Sequence, residues 1–139
     1  MKQLAPVVLF AAAALAALGC NPPADYALVG GAFVPQAHGD IRIEKIDKNE
    51  RVLTITMDHL PQPSDIEDSL THYVVWFSAV GELPVPKGTL DYEPKTRVGV
   101  ASIPTDMLQF DVQITAEQSE SPAQPSDLIV ASQRIREKK

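Results

Sequence analysis

Period-two alternation of apolar and polar side chains, cut at intervals of about ten to fifteen positions by Pro, Gly, Asn and Asp, constrains this chain more than any other feature, because it lets one face of each segment bury while the other meets water. In Gly39–Ile46, Ile41 and Ile43 alternate with Arg42 and Glu44. In Arg51–His59, Leu53, Ile55 and Met57 share one face, and Thr54, Thr56 and Asp58 share the other. The polar stretch Asp47-Lys48-Asn49-Glu50 between them carries turn residues and predicts a hairpin. The cleanest case is Gln109–Glu117, with Phe110, Val112, Ile114 and Ala116 expected inward and Gln109, Asp111, Gln113 and Thr115 outward. No segment carries a helical stripe of period 3.6, so a helical bundle is excluded.

The remaining segments extend the pattern. Tyr26–Val34 is apolar but interrupted by Gly30-Gly31, and reads as a first strand with a bulge or kink. Leu60–Leu70 lacks periodicity and reads as a long, acidic, solvent-exposed connection. Thr71–Ala79 is apolar on both faces and belongs at the centre of the fold, with Tyr73, Trp76 and Phe77 expected in the inter-sheet core. A proline loop over Val80–Gly88, short strands at Thr89–Tyr92 and Thr96–Ile103, and one helical turn at Pro104–Leu108 capped by Thr105 or Asp106 follow. After the polar loop Gln118–Ser126, Leu128–Ala131 starts a last strand that frays into Arg134–Lys139. About seven to nine short strands with a central tryptophan strand predict an all-β chain, a single immunoglobulin-like antiparallel β-sandwich over residues 26–135 with a tail at 136–139.

The first residues follow different rules. Met1-Lys2 gives a cationic start, and the alanine-rich apolar run Leu4–Leu18 is shorter than the roughly twenty residues that cross a hydrocarbon core. This is the composition of a cleavable export signal. With Ala17-Leu18-Gly19-Cys20 at its end, the segment resembles the signal of bacterial lipoproteins, although Ala17 stands where that family usually has Leu, Val or Ile. The resemblance implies removal of residues 1–19, acylation of Cys20, the sole cysteine, and a short linker over residues 20–25 that contains the stiff Pro22-Pro23. It also implies attachment to a membrane of the cell envelope through the N-terminal lipid. Asn21, in place of the aspartate that retains some lipoproteins in the inner membrane, favours the outer membrane.

Removing the signal takes away only Lys2, so eighteen acidic and eleven basic side chains remain in 120 residues, a formal charge of −7. That balance argues against a nucleic-acid partner, whose phosphates demand a basic face, and against electrostatic docking on anionic lipid headgroups. With Cys20 acylated no disulfide can form, and stability must come from packing and sheet hydrogen bonds.

Catalytic and metal chemistry find little support in the residue pattern. His38, His59 and His72 show no metal-ligand spacing and read as surface or packing histidines. Type I copper needs a cysteine beside histidines, and the one cysteine is assigned to lipid. Asp58, Asp65, Glu67 and Asp68 concentrate charge without the spacing or glycine of a calcium loop. Ser64, Ser69 and Ser78 lie near Asp65, Asp68 and His72 but lack a glycine-framed nucleophile turn. No cofactor and no catalytic residue is assigned. The loops Leu60–Leu70 and Val80–Lys87 are the better binding candidates, since loops at the ends of a sandwich commonly carry recognition.

Three pieces in order carry a second resemblance: Tyr73-Val74-Val75-Trp76-Phe77 with Gly81-Glu82-Leu83, then Gly88-Thr89-Leu90, then Phe110–Glu117 with Gln124-Pro125-Ser126. Residues 71–131 thereby resemble the extracytoplasmic β-sandwich of anti-sigma-K-type membrane regulators. The sigma-binding part and the spanning helix of those regulators have no counterpart in this sequence, so the resemblance implies a fold held near a membrane and no anti-sigma activity. The expectation is a lipid-anchored, non-enzymatic envelope lipoprotein that acts as a binding or structural accessory module for an envelope protein. The alternatives are an extracytoplasmic sensor or signalling module beside a membrane regulator, and a small-molecule or ion-binding lipoprotein.

Overall fold

A computed structural model describes residues 23–139. Nine strands form in chain order: β1 (Ala24–Val29), β2 (His38–Lys45), β3 (Arg51–Asp58), β4 (His72–Ala79), β5 (Val85–Thr89), β6 (Asp91–Glu93), β7 (Val98–Thr105), β8 (Gln109–Glu117) and β9 (Ile129–Arg136). They make two antiparallel sheets, one of five strands in the order β1-β2-β3-β7-β6 and one of four in the order β5-β4-β8-β9. Leaving β1 aside as an added edge strand, this is the strand order of an immunoglobulin-like sandwich with one strand added beside its third. The expected all-β sandwich is the fold.

The alternation reads directly into the layers. Ile41, Ile43, Leu53, Ile55 and Met57 from the five-stranded sheet face Tyr73, Val75, Phe77, Phe110, Val112 and Ile114 from the other, all buried in one core. The Phe77 and Phe110 rings pack with centroids 4.8 Å apart, within the usual range of aromatic pairs. The hairpin expected around Asp47–Glu50 pairs β2 with β3 in unbroken register from His38↔Asp58 to Lys45↔Arg51.

Several boundaries differ from the sequence reading, each for a physical reason. β1 starts at Ala24 and stops at Val29, and Gly30 and Gly31 leave the sheet. Their N–H groups donate to the carbonyls of Ala37 and Val130, which tucks Val34 and Ala37 under the core. The only helical turn among the described residues lies at Pro63–Ile66, where a proline opens it, instead of at Pro104–Leu108. Thr105 does accept a hydrogen bond from the Met107 N–H at 3.1 Å, but Pro104 is held in β7 opposite Val52. Half of the expected Val80–Gly88 loop is β5, an edge strand whose bulge at Val75/Trp76 accommodates Pro86. β9 continues to Arg136 because β8 offers it partners as far as Gln109.

The Leu60–Leu70 connection keeps its acidic side chains in water while Leu60, Pro63 and Leu70 are buried. The hydroxyls of Tyr73 and Tyr92 each donate at 2.6 Å, to the carbonyls of Pro61 and Leu60, and clamp its start to the body. Burial holds the Tyr73 hydroxyl in its protonated, donating form by pushing its pKa up.

The two ends of the sandwich are unlike. Ala24, the Ile46–Glu50 turn, the Val80–Pro84 turn and the C-terminal Glu137–Lys139 share one end, since Lys45 pairs with Arg51, Ala79 with Phe110 and Gln109 with Arg136. The other end carries the Gly30–Ala37 loop, the helical turn and the Gln118–Leu128 connection.

Candidate functional site

The face of the four-stranded sheet that looks away from the core carries a side-chain hydrogen-bond relay with a polar groove beside it. On β4, Tyr73, Val75 and Phe77 enter the inter-sheet core, so Val74 and Trp76 point to the outer face. This corrects the placement of Trp76 in the inter-sheet core. It is nevertheless 0 % exposed.

Trp76 and Thr115 meet diagonally across the β4–β8 ladder, where Trp76 opposes Gln113 and Val74 opposes Thr115. The Trp76 indole N–H donates to Thr115 Oγ1 at 2.8 Å, and the Thr115 hydroxyl donates onward to Glu117 Oε1 at 2.6 Å. The Ser126 N–H donates to the same carboxylate oxygen at 2.7 Å, and the Ser126 hydroxyl donates to the Ala116 carbonyl at 2.8 Å. The relay stitches the Gln118–Leu128 connection down over the sheet. Thr115 lies on the outward face as the alternation predicts, yet it and Glu117 are buried by that connection. Among the described residues no buried side-chain polar atom lacks a partner, which a relay in a low-dielectric setting requires.

Beside Trp76 the same face opens into a groove of about 510 Å³ whose walls include Ser78, Pro84, Gln113, Ser132 and the Asp111–Arg134 pair. Asp111 and Arg134 oppose each other across β8 and β9 and meet in a two-pronged ion pair, Nε to Oδ1 at 2.8 Å and Nη2 to Oδ2 at 3.3 Å. The Arg134 guanidinium holds the Asp111 carboxyl below the usual carboxylate value. A depressed value means that the pair's contribution to stability is present above the ordinary carboxylate range and is lost as pH falls through Asp111's own pKa. Arg134→Ala should return the Asp111 titration, followed by NMR of its side-chain carboxyl, toward the ordinary value. Chemically the groove offers amide, hydroxyl and paired charges above the buried Trp76, a lining suited to hydrogen-bonded recognition of a polar or extended ligand.

The residues singled out from the sequence fall in other places. His38 and His59 stack with ring centroids 5.0 Å apart, a proximity that the sequence reading missed. Its signal was the hairpin register, which sets His38 opposite Asp58 and so beside the next residue. His72 lies elsewhere and bonds Thr71 Oγ1 at 2.7 Å. Among the described residues no three His, Cys, Asp or Glu side chains gather as metal ligands, so Asp58, Asp65, Glu67 and Asp68 do not form a shared site. Ser69 accepts from Gln118 Nε2 at 3.3 Å and Ser78 donates to the Glu82 carbonyl at 2.8 Å, contacts that do not join them to a histidine base. Cys20 lies outside the described residues. No helix of the described residues is long and apolar enough to cross a membrane.

Comparison of the chain with models of protein families, with curated proteins and with solved structures finds no match in any of the three.

Proposed function

We propose that this chain is a lipid-anchored lipoprotein of the bacterial envelope whose β-sandwich serves as a non-enzymatic binding or structural accessory module. The observation that carries the reading is the N-terminal pattern: Met1-Lys2, the apolar run Leu4–Leu18, and Ala17-Leu18-Gly19-Cys20. Acylation of Cys20 supplies two or three fatty chains, and each buried methylene adds about 0.8 kcal/mol, enough together for durable attachment. Asn21 favours the outer membrane. The groove beside Trp76 is the surface best suited to an envelope protein partner, because it combines hydrogen-bonding walls with a rigid strand floor. The reading gives the protein no cofactor and no nucleic-acid partner.

Cys20→Ser should leave the melting temperature of the domain unchanged and move the protein from the membrane pellet to the soluble fraction of broken cells. A variant that still sediments with membranes would contradict lipid anchoring. The resemblance of residues 71–131 to extracytoplasmic regulator sandwiches supports a second reading, a sensor module beside a membrane regulator. A photo-crosslinking residue at Ser132, on the groove wall, separates the two by the identity of the protein it captures.

A further inference from the structure

We propose that the end of the sandwich bearing Ala24 is a membrane-docking surface: a basic cleft that takes the phosphates of phospholipid headgroups, beside apolar turns that enter the interfacial layer. The inference rests on acylation of Cys20.

The tether sets the geometry. β1 begins at Ala24, four residues after Cys20, and four fully extended residues reach about 14 Å at most. An acylated Cys20 therefore holds this end of the domain, and no other, within about 14 Å of the lipid, roughly two headgroup-layer depths.

The chemistry of that end suits the position. Next to Ala24 a cleft of about 500 Å³ is lined by Lys45, Arg136, Lys138 and Lys139 and by the largely buried Arg51, with Glu137 as its only acidic side chain. Glu137 is already engaged by the Tyr26 hydroxyl at 2.8 Å. The ion pairs among the described residues are Arg42–Asp25 and Arg134–Asp111, so none of the five cations is in one. Such a cluster in a chain of net charge −6 means that the charge is unevenly distributed. Asp65, Glu67, Asp68, Glu120 and Asp127 sit toward the opposite end, where they point away from an anionic surface. Asp25, Glu44, Asp47, Glu50, Glu82 and Asp106 also lie toward the docking end, so the attraction is confined to the cleft itself.

Apolar side chains complete the surface. Leu83 is 85 % exposed, Val80 79 % and Ile46 60 %, all in the two turns at this end. The first two flank Gly81, whose φ of 77° shapes the turn that presents them. Isolated apolar side chains on exposed turns cost a soluble domain little, but beside a bilayer each gains by leaving water.

The test uses the acylated full-length protein on phosphatidylethanolamine vesicles containing phosphatidylglycerol. Cys20 is blocked by its lipid, so Leu83→Cys or, at the far end, Asp68→Cys takes a single environment-sensitive fluorophore. The label at 83 should shift to the blue and be quenched by nitroxides on the acyl chains, while the label at 68 should show neither effect. Lys45→Glu combined with Lys138→Glu, both surface changes, should abolish the shift at 83 while the protein still sediments with the vesicles. If the label at 83 matches the label at 68 in protein that does sediment, the docking surface is refuted and anchoring stands. Protein that stays in the supernatant, or that takes a label on Cys20, refutes the anchor and the docking surface with it.

Discussion

Trp76→Ala lowers the stability of the domain by about 3–5 kcal/mol, the usual cost of truncating a fully buried large aromatic residue. Against a total of about 5–15 kcal/mol for a single domain, that is a fifth or more of what keeps it folded. Two effects combine. The indole ring is lost from a site that is 0 % exposed, and Thr115 loses the N–H that bonds its oxygen at 2.8 Å. The loss does not open a void in the inter-sheet core, because Trp76 belongs to the outer face; it loosens the contact with β5 and the relay to Glu117. Trp76→Phe keeps most of the packing and removes only the N–H, so it should cost about 1 kcal/mol, near the net value of one hydrogen bond. Chemical denaturation of the parent and both variants checks the pair. An alanine variant that unfolds with the parent would place Trp76 at the surface.

Gly39→Ala is the second large effect, with an expected loss of about 3 kcal/mol, at the upper end of ordinary overpacking. A Cβ at Gly39 would run into the backbone carbonyl of Thr56 on the neighbouring strand. That carbonyl belongs to β3, where Thr56 pairs with Asp40 on one side and with Val100 of β7 on the other. A flexible side chain could move aside, whereas a carbonyl locked between two ladders can shift only by spoiling both. Gly88→Ala serves as the control, since a Cβ there meets nothing within 4 Å. Thermal melts should separate the two by a wide margin, and equal melting temperatures would show that β2 can slide away from β3.

How much of this was legible in the sequence depends on which signal carried the information. Where one face of a strand is polar, as in Arg51–Asp58 and residues 109–114, period two reports the buried face without ambiguity, and those segments appear where the alternation put them. Thr71–Ala79 is apolar on both faces, so periodicity could not say which residues entered the core. Trp76 went to the outer face because Tyr73, Val75 and Phe77 are in phase with the inward positions of β8. Proline misled in both directions. At Pro86 it suggested a loop where an edge strand with a bulge tolerates the missing donor, and at Pro63 it opened a helical turn in a stretch read as irregular. The relay through Thr115, Glu117 and Ser126 left no local trace, because its members meet only once the Gln118–Leu128 connection folds over the sheet. The His38–His59 stack was hidden in the same way behind the hairpin register.

The central claim, a lipid on Cys20, is tested most directly by the intact mass of the protein extracted from membranes, followed by fragmentation of its N-terminal peptide. The account predicts a chain that begins at Cys20 and is heavier than its sequence by a diacylglycerol and, where the terminus is further acylated, one fatty acid, with all of the added mass on that residue. A chain of unmodified mass with a free Cys20 thiol, or one still carrying residues 1–19, would contradict it.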